Sequence, residues 1–236
     1  MPEISHTYNM ADTEHNISEM RIVYDRDELL ESQVASTPLE QFNRWLSDAV
    51  ALGKDILIEP NAMVLSTATP NGNVSSRSVL LKGIDARGLV FFSNYQSHKA
   101  KEIENNPAVS VVFPWYPLHR QVIVIGKVEK ISLEESEQYF ETRPYKSQLG
   151  ALVSNQSEEI ESREILETRM RELELTYPEG QVPMPKDWGG YLIRVGSIEF
   201  WQGRRSRLHD RLRFDRIENV SDLTQSANWK LTRLSP

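Results

Sequence analysis

The sequence predicts a mostly antiparallel β-barrel carrying peripheral helices, on three observations. From Ala62 onward, short runs rich in Val, Leu, Ile and Phe are separated by turn residues, which is the sequence texture of a sheet. The runs follow one another through tight turns, with the helical patterns inserted late. At 236 residues and 39% hydrophobic side chains, the chain can bury a real core, and one domain is expected over residues 21–236.

The elements follow in order. Residues 1–20 are polar, with few large apolar side chains, and read as a disordered tail. Thr37-Pro38-Leu39-Glu40 has the form of a helix start, with Thr37 as N-cap, Pro38 at the first helical position and Glu40 completing a capping box. Leu39, Phe42, Leu46, Ala49 and Val50 recur at helical spacing, and Gly53 is placed to end the helix. Strands are expected at about 62–69, 74–82 and 88–94, with Pro70-Asn71-Gly72-Asn73 and Asp85 to Gly88 as turns. Two more are expected at about 108–114 and 120–131. A short helix at about 97–105 lies between strands, and a helical region from Leu133 to Thr142 is stopped by Pro144. The longest helix is expected over Ser157 to Leu175, where Ile160, Ile165, Leu166, Met170 and Leu173 form an uneven apolar stripe. Two further strands flank the Trp201 region, and a last one at about 228–234 ends the chain.

Composition narrows the chemistry. A net charge of -7 argues against a protein built around a nucleic-acid backbone. With no cysteine, disulfides, thiolate metal sites and a cysteine nucleophile are excluded, so redox chemistry has to come from a bound cofactor. No stretch approaches the ~20 apolar residues of a membrane helix, and the N-terminus lacks the order of a secretory signal. A cytoplasmic protein is expected, with mitochondrial import left open. HExxH, GxxxxGK[ST] and GxGxxG are absent, and no pair of histidines, His6 and His15 of the tail included, has metal-ligand spacing.

The densest signal is Arg204 to Arg216, with six arginines and one histidine in thirteen residues. As a strand, it turns Arg207, His209, Arg211 and Arg213 to one face and packs Leu208, Leu212 and Phe214 on the other, with Asp210 the exception. Such a face suits a dianion, because guanidinium forks match phosphate oxygens; the plainer alternative is a solvated strand with its arginines paired to acids. Arg77-Ser78-Val79-Leu80-Leu81-Lys82 carries a cation near each end, on opposite faces unless a bulge intervenes. His98 and Lys99 open a short helix, where an anion is already favoured. Tyr139, Arg143 and Ser147 share a face if the helix survives Pro144, and would then form a phosphate clamp. Trp201 and Gln202 are either core or the wall of a cofactor site.

Arg77 to Lys82, Asn105-Asn106-Pro107 leading to Phe113-Pro114-Trp115, Arg120-Gln121-Val122, and above all Phe200-Trp201-Gln202 followed by Arg207-Leu208-His209-Asp210-Arg211 resemble the pyridoxamine 5'-phosphate oxidase family. The resemblance covers roughly residues 20–236, through the closing Arg233-Leu234-Ser235-Pro236. It implies a split-barrel homodimer with flavin mononucleotide (FMN) at the subunit interface. On matching positions it assigns Arg77, Ser78, Val79, Leu80, Leu81, Lys82, Phe92, Ser93, His98, Lys99, Gln121, Gln156, Ser157, Trp201 and Arg211 to the flavin. Lys82, Tyr139, Arg143 and Ser147 would hold the substrate phosphate, with Arg207, Leu208 and His209 over the pyridine ring. Met20-Arg21 and Tyr24 resemble a segment that folds over the occupied site. The activity implied is oxidation of pyridoxamine 5'-phosphate and pyridoxine 5'-phosphate at the 4' carbon, with hydride passing to the flavin and O2 as electron acceptor.

Two departures from the family pattern stand out. His98 replaces an arginine common in relatives, so phosphate binding is expected to weaken at high pH, where a neutral imidazole offers one donor. Arg204-Arg205 replace more neutral residues and are expected only to add surface charge. Two other classes stay open on sequence alone. One is a nucleic-acid module using Trp201 as a stacking platform, and the other a non-catalytic flavin or pyridoxal phosphate carrier on the same barrel.

Overall fold

The computed structural model describes residues 16–217 and 222–236. Most of the expected tail, with His6 and His15, lies outside the described residues. Of its remainder, Ile17–Glu19 forms one 3-10 turn, with Ile17 exposed. The described residues form five α-helices and nine strands: α1 (Pro38–Ala51), β1 (Ala62–Ala68), β2 (Val74–Leu80), β3 (Gly83–Asp85), β4 (Gly88–Asn94), α2 (His98–Asn105), β5 (Ala108–Trp115), β6 (Arg120–Lys130), α3 (Leu133–Glu141), α4 (Tyr145–Val153), α5 (Arg163–Thr176), β7 (Trp188–Gln202), β8 (Asp210–Arg216) and β9 (Trp229–Arg233).

All nine strands join one curled antiparallel sheet in the order β2-β1-β5-β6-β7-β4-β3, with β8 bridging β7 and β9. The long β7 organises it. One edge runs along β6, while the other pairs first with β4 (residues 188–193) and then with β8 (residues 197–202). A register shift at Ile125/Gly126 bends the β6–β7 pair. Only glycine fits at 126, because a Cβ would sit 2.4 Å from the Arg194 carbonyl oxygen. Inside the curl, Leu65, Val111, Phe113, Val122, Val124, Ile193, Phe200 and Leu212 are fully buried, and α1 closes it with Phe42, Trp45 and Ala49. Phe42 meets Phe113 at 5.0 Å and Trp45 meets Phe200 edge-on at 5.3 Å.

Thr37 caps α1 as its sequence predicts, accepting from the Glu40 amide at 3.2 Å, but the Glu40 carboxylate pairs with Arg44 rather than completing the box. Val50, expected in the apolar stripe, is exposed, and Trp45, which the predicted stripe omits, is buried one turn from Phe42 and Ala49. The 74–82 strand ends at Leu80, and Lys82 lies in the connection to the short β3, so strand parity does not govern it. The helix expected from Ser157 starts only at Arg163; Ser157 has φ +77°, which an α-helix does not admit, and no α5 residue is buried. A separate helix, α4, forms beyond Pro144, with that proline as N-cap. Trp201 lies inside β7, near its end, rather than between two strands. Among the described residues no helix is long and apolar enough to cross a membrane.

Candidate functional site

The expected residues gather in three groups. The first surrounds the start of α2. Lys99 is only 7% exposed, and its ammonium donates to the Ser93 hydroxyl at 3.0 Å and the Ser97 hydroxyl at 3.2 Å, with no carboxylate paired to it among the described residues. Burial, and then the nearby Arg77 charge, bring its pKa down from 10.5 to about 8. Ser93 also donates to Gln156 Oε1 at 3.3 Å, and the His98 amide donates to Ser157 Oγ at 3.2 Å. The left-handed turn at Ser157 therefore brings the 156–157 loop onto the helix start. A nearly buried ammonium near the Arg77 charge, with two hydroxyl partners at the start of a helix, is a donor set suited to an anion. The phosphate end of a flavin nucleotide fits it.

Arg77, from β2, donates to Thr67 Oγ1 at 2.5 Å, to the Leu65 carbonyl, to Ser75 Oγ and to Glu102 at 3.3 Å. Val79 and Leu81 from the same segment turn into the core, while Ser78 stays exposed. Glu102 escapes a reading of the sequence, since an acid within Lys-Glu-Ile-Glu-Asn resembles any helix surface. Yet it is 6% exposed, with His98 Nε2 3.1 Å from one of its oxygens. Burial alone would raise its carboxyl, but the hydroxyls of Ser75 and Thr67, then His98 and Arg77, hold it below the usual value.

The second group lies on the other side of β4, where Phe92 and Ser93 point to opposite faces. Phe92 stacks on Tyr139 of α3 at 3.8 Å and on Trp188 at 5.3 Å. The Arg143 guanidinium lies 4.7 Å from the Trp188 ring centroid. Its Nη1 is buried without a hydrogen-bond partner, and burial draws its pKa below the ordinary arginine value. An orphaned buried guanidinium donor on an aromatic wall is a ready seat for a phosphate or carboxylate. Trp188 is the member the sequence reading missed, and two glycines that admit close neighbours follow it: Cβ atoms at Gly189 and Gly190 would fall 2.2 Å from Tyr95 and 2.3 Å from Ile131. The helix break at Pro144 leaves Ser147 on α4, exposed, and Lys82 is exposed as well; among the described residues no hydrogen bond joins either of them to Arg143.

The third group sits at the far end of β7. The continuous strand expected from Arg204 does not form. Ser206 and Arg207 have φ +56° and +61°, so the chain turns there and β8 begins at Asp210. Leu208, expected to pack inward, is therefore 70% exposed, whereas Leu212 and Phe214 are buried. Most of the arginines take the plainer alternative: Arg211 pairs with Glu199 at 2.7 Å, Arg213 with Asp215 at 2.9 Å, Arg205 with Asp25 at 3.2 Å and Arg204 with Glu28 at 3.3 Å. Arg207 has no ion-pair partner among the described residues. Arg204 and Arg205 thus do more than add charge, because they tie down residues 25–28.

His209 Nδ1 accepts the Arg204 amide at 3.0 Å, and its ring lies 4.5 Å from the Trp201 ring. Desolvation and Arg207 lower its pKa, with Asp210 opposing them. Tyr24 packs edge-on against His119 (4.7 Å), His209 (5.8 Å) and Trp201 (5.9 Å). Its ring fills the space where a Cβ at Gly203 would lie, 2.8 Å from Cγ. Arg21, Tyr24, Trp201, Arg207 and His209 line one cavity of about 790 Å³. Gln121 is the β6 neighbour of Trp201. Among the described residues no hydrogen bond, ion pair or ring contact joins this group to the Arg143 group.

Comparisons with known proteins agree with this architecture. The family described as Pyridoxamine 5'-phosphate oxidase matches residues 52–177, and the Pyridoxine 5'-phosphate oxidase C-terminal dimerisation region matches residues 188–236. A Pyridoxine/pyridoxamine 5'-phosphate oxidase of Nostoc punctiforme is 50% identical over 220 residues, covering 93% of this chain and 98% of its own. PhzG from Burkholderia lata, solved in complex with tetrahydrophenazine-1-carboxylic acid, superposes with a TM-score of 0.78 at 30% identity, over 89% of this chain and 98% of its own. An FMN-binding, pyridoxamine 5'-phosphate oxidase-related protein of Nostoc punctiforme shares the fold, with a TM-score of 0.62 at 15% identity over 83% of this chain and 97% of its own. The fold is the split barrel of these proteins, and the chain belongs to the pyridoxamine 5'-phosphate oxidase family.

Proposed function

We propose that this chain is an FMN-dependent oxidase that converts pyridoxamine 5'-phosphate and pyridoxine 5'-phosphate to pyridoxal 5'-phosphate. O2 is the electron acceptor, H2O2 the product, and ammonia leaves from the amine. One observation carries the reading: two cations with no carboxylate partner among the described residues, the buried Lys99 and the half-buried Arg143 with its enclosed Nη1, flank β4 through its neighbouring residues Ser93 and Phe92. Two phosphorylated aromatic molecules need two such seats, and family membership supports which molecules they are.

Arg77, Ser93, His98, Lys99, Gln156 and Ser157 would hold the flavin phosphate. Residues 78–82, Phe92, Gln121, Trp201 and Arg211 are proposed to contact the rest of the cofactor. When bound, FMN supplies the two-electron acceptor that the side chains of this protein lack. Tyr139 and Arg143, together with Lys82 and Ser147, would seat the substrate phosphate and fix the distance of its 4' carbon from the acceptor. Arg207, which has no ion-pair partner among the described residues, and Leu208 and His209 would lie over the pyridine ring, covered by Arg21 and Tyr24.

Because Nδ1 of His209 accepts a backbone amide, its neutral form carries the proton on Nε2, and the lowered pKa favours that neutral form. We therefore assign it as a hydrogen-bond donor to the substrate rather than a proton acceptor. Among the described residues of one chain no hydrogen bond, ion pair or ring contact links the Arg143 and Arg207 groups. This supports a homodimer in which each site is completed by the partner, in keeping with the match to a dimerisation region. One continuous sheet and one core cluster support a single catalytic domain over residues 21–236.

The test is to load the purified protein with FMN, add pyridoxamine 5'-phosphate, and follow H2O2 and pyridoxal 5'-phosphate together. Both should appear in equal amounts. A protein that holds flavin yet forms neither product is a carrier, and the proposal falls.

A further inference from the structure

We infer that Glu102 is a positioning residue for the flavin phosphate site, its carboxylate fixing the Arg77 guanidinium beside Lys99. The inference rests on the reading of that site as a phosphate seat and goes beyond it, because an acid there is at first sight adverse. A carboxylate 3.3 Å from the arginine subtracts from its attraction for a dianion. It is retained in a buried position, and its bonding suggests what it does.

One oxygen of Glu102 faces three side chains on two strands: the Thr67 hydroxyl of β1 at 2.5 Å, the Ser75 hydroxyl of β2 at 2.6 Å, and Arg77. Thr67 and Ser75 in turn each accept from the guanidinium. Each hydroxyl has one proton and accepts from Arg77, so that proton goes to Glu102. The result is a closed set of hydrogen bonds in which every hydroxyl is oriented by the carboxylate. The other oxygen faces His98 Nε2 in the first turn of α2. One acid therefore fixes the arginine from the sheet relative to the helix that carries Lys99. A flexible arginine loses rotamer freedom when it grips a ligand, and this network removes that loss beforehand. The packing of α2 does not depend on it, since Ala100 and Ile103 are the apolar residues it buries in the core.

The experiment uses the full chain stripped of flavin. Dissociation constants for FMN and for riboflavin, which lacks the phosphate, are read by quenching of flavin fluorescence. Glu102→Met keeps the length of the side chain and removes its acceptors, whereas Glu102→Gln keeps an acceptor oxygen. Losing an oriented, charge-assisted contact should weaken FMN binding by about tenfold or more in Glu102→Met, with riboflavin unchanged within about twofold. Glu102→Gln should recover most of the FMN affinity. Ser75→Ala, which removes one relay and leaves the acid, should show a smaller phosphate-selective loss and serves if the Met variant fails to fold. Equal weakening for FMN and riboflavin, or none for either, overturns the positioning role; so does tighter FMN binding in Glu102→Met, which would make the acid a mere counter-charge. If the unaltered chain itself shows no preference for FMN over riboflavin, the site reading has failed, and the inference fails with it.

Discussion

Lys99 offers the sharpest test of the site, because replacing it with methionine should push stability and binding in opposite directions. In the free protein its pKa falls from 10.5 to about 8, which at ~1.4 kcal/mol per unit is a penalty of about 3 kcal/mol for keeping the ammonium charged. The folded-state value lies below the unfolded one. Between about pH 8 and 10.5 the unfolded chain therefore holds the extra proton, and stability rises with pH across that window. At pH 7 the penalty is fully present, so Lys99→Met should stabilise the flavin-free protein by up to about 3 kcal/mol, an advantage that fades above pH 8. Binding goes the other way. Loss of a desolvated charge facing a phosphate should weaken FMN by roughly 2–4 kcal/mol, or about 30- to 1000-fold. In the unaltered chain, FMN affinity should fall about tenfold per unit above pH 8, as the ammonium loses its proton. It should also fall below about pH 6, as the phosphate gains one. Riboflavin should show neither limb. Thermal melts with and without FMN, together with fluorescence titrations from about pH 5.5 to 9.5, measure both sides. A Lys99→Met protein that is less stable without flavin, or that keeps the alkaline limb of FMN binding, refutes the reasoning.

Three further outcomes follow from the other groups. Arg143→Ala should raise the Michaelis constant for pyridoxamine 5'-phosphate by about 30-fold or more while leaving the visible flavin spectrum alone, since it removes a buried charged donor from the substrate side of β4; an unchanged constant removes Arg143 from the clamp. Arg207→Met should depress turnover far more than flavin content, whereas Arg77→Ala should strip flavin. Equal loss of both properties in each variant contradicts that division. Gly203→Ala places a methyl 2.8 Å from Tyr24. It should cost about 1–3 kcal/mol of packing and hasten protease cleavage within residues 20–28, and an unchanged cleavage rate would show that Tyr24 is not seated there.

How much of this was legible depended on whether a residue's role is set by local pattern or by what folds against it. Strand positions were readable because alternation in the barrel staves is local, and the helix start at Thr37 because capping chemistry spans only four residues. Arg204 to Arg216 misled for the same reason. Alternation assumes a continuous strand, and nothing in Arg-Ser-Arg announces two left-handed residues, which glycine or asparagine would have signalled. Alternation thus turns Leu208 inward, whereas it lies exposed in the fold.

Glu102 and Trp188 were hidden differently. Each has an ordinary local setting, an acid in a polar helix and an aromatic at a strand start. Each acquires its meaning from β1 and β2, or from α3, 25 to 50 residues away in sequence. The same distinction explains why a resemblance identifies the family and the fold where parity does not, since it transmits the result of tertiary contacts that spacing does not encode. It also tells where the family pattern should be trusted least. At His98 the partner, Glu102, belongs to this chain's own network, so what the substitution does to phosphate binding depends on that acid as much as on the imidazole.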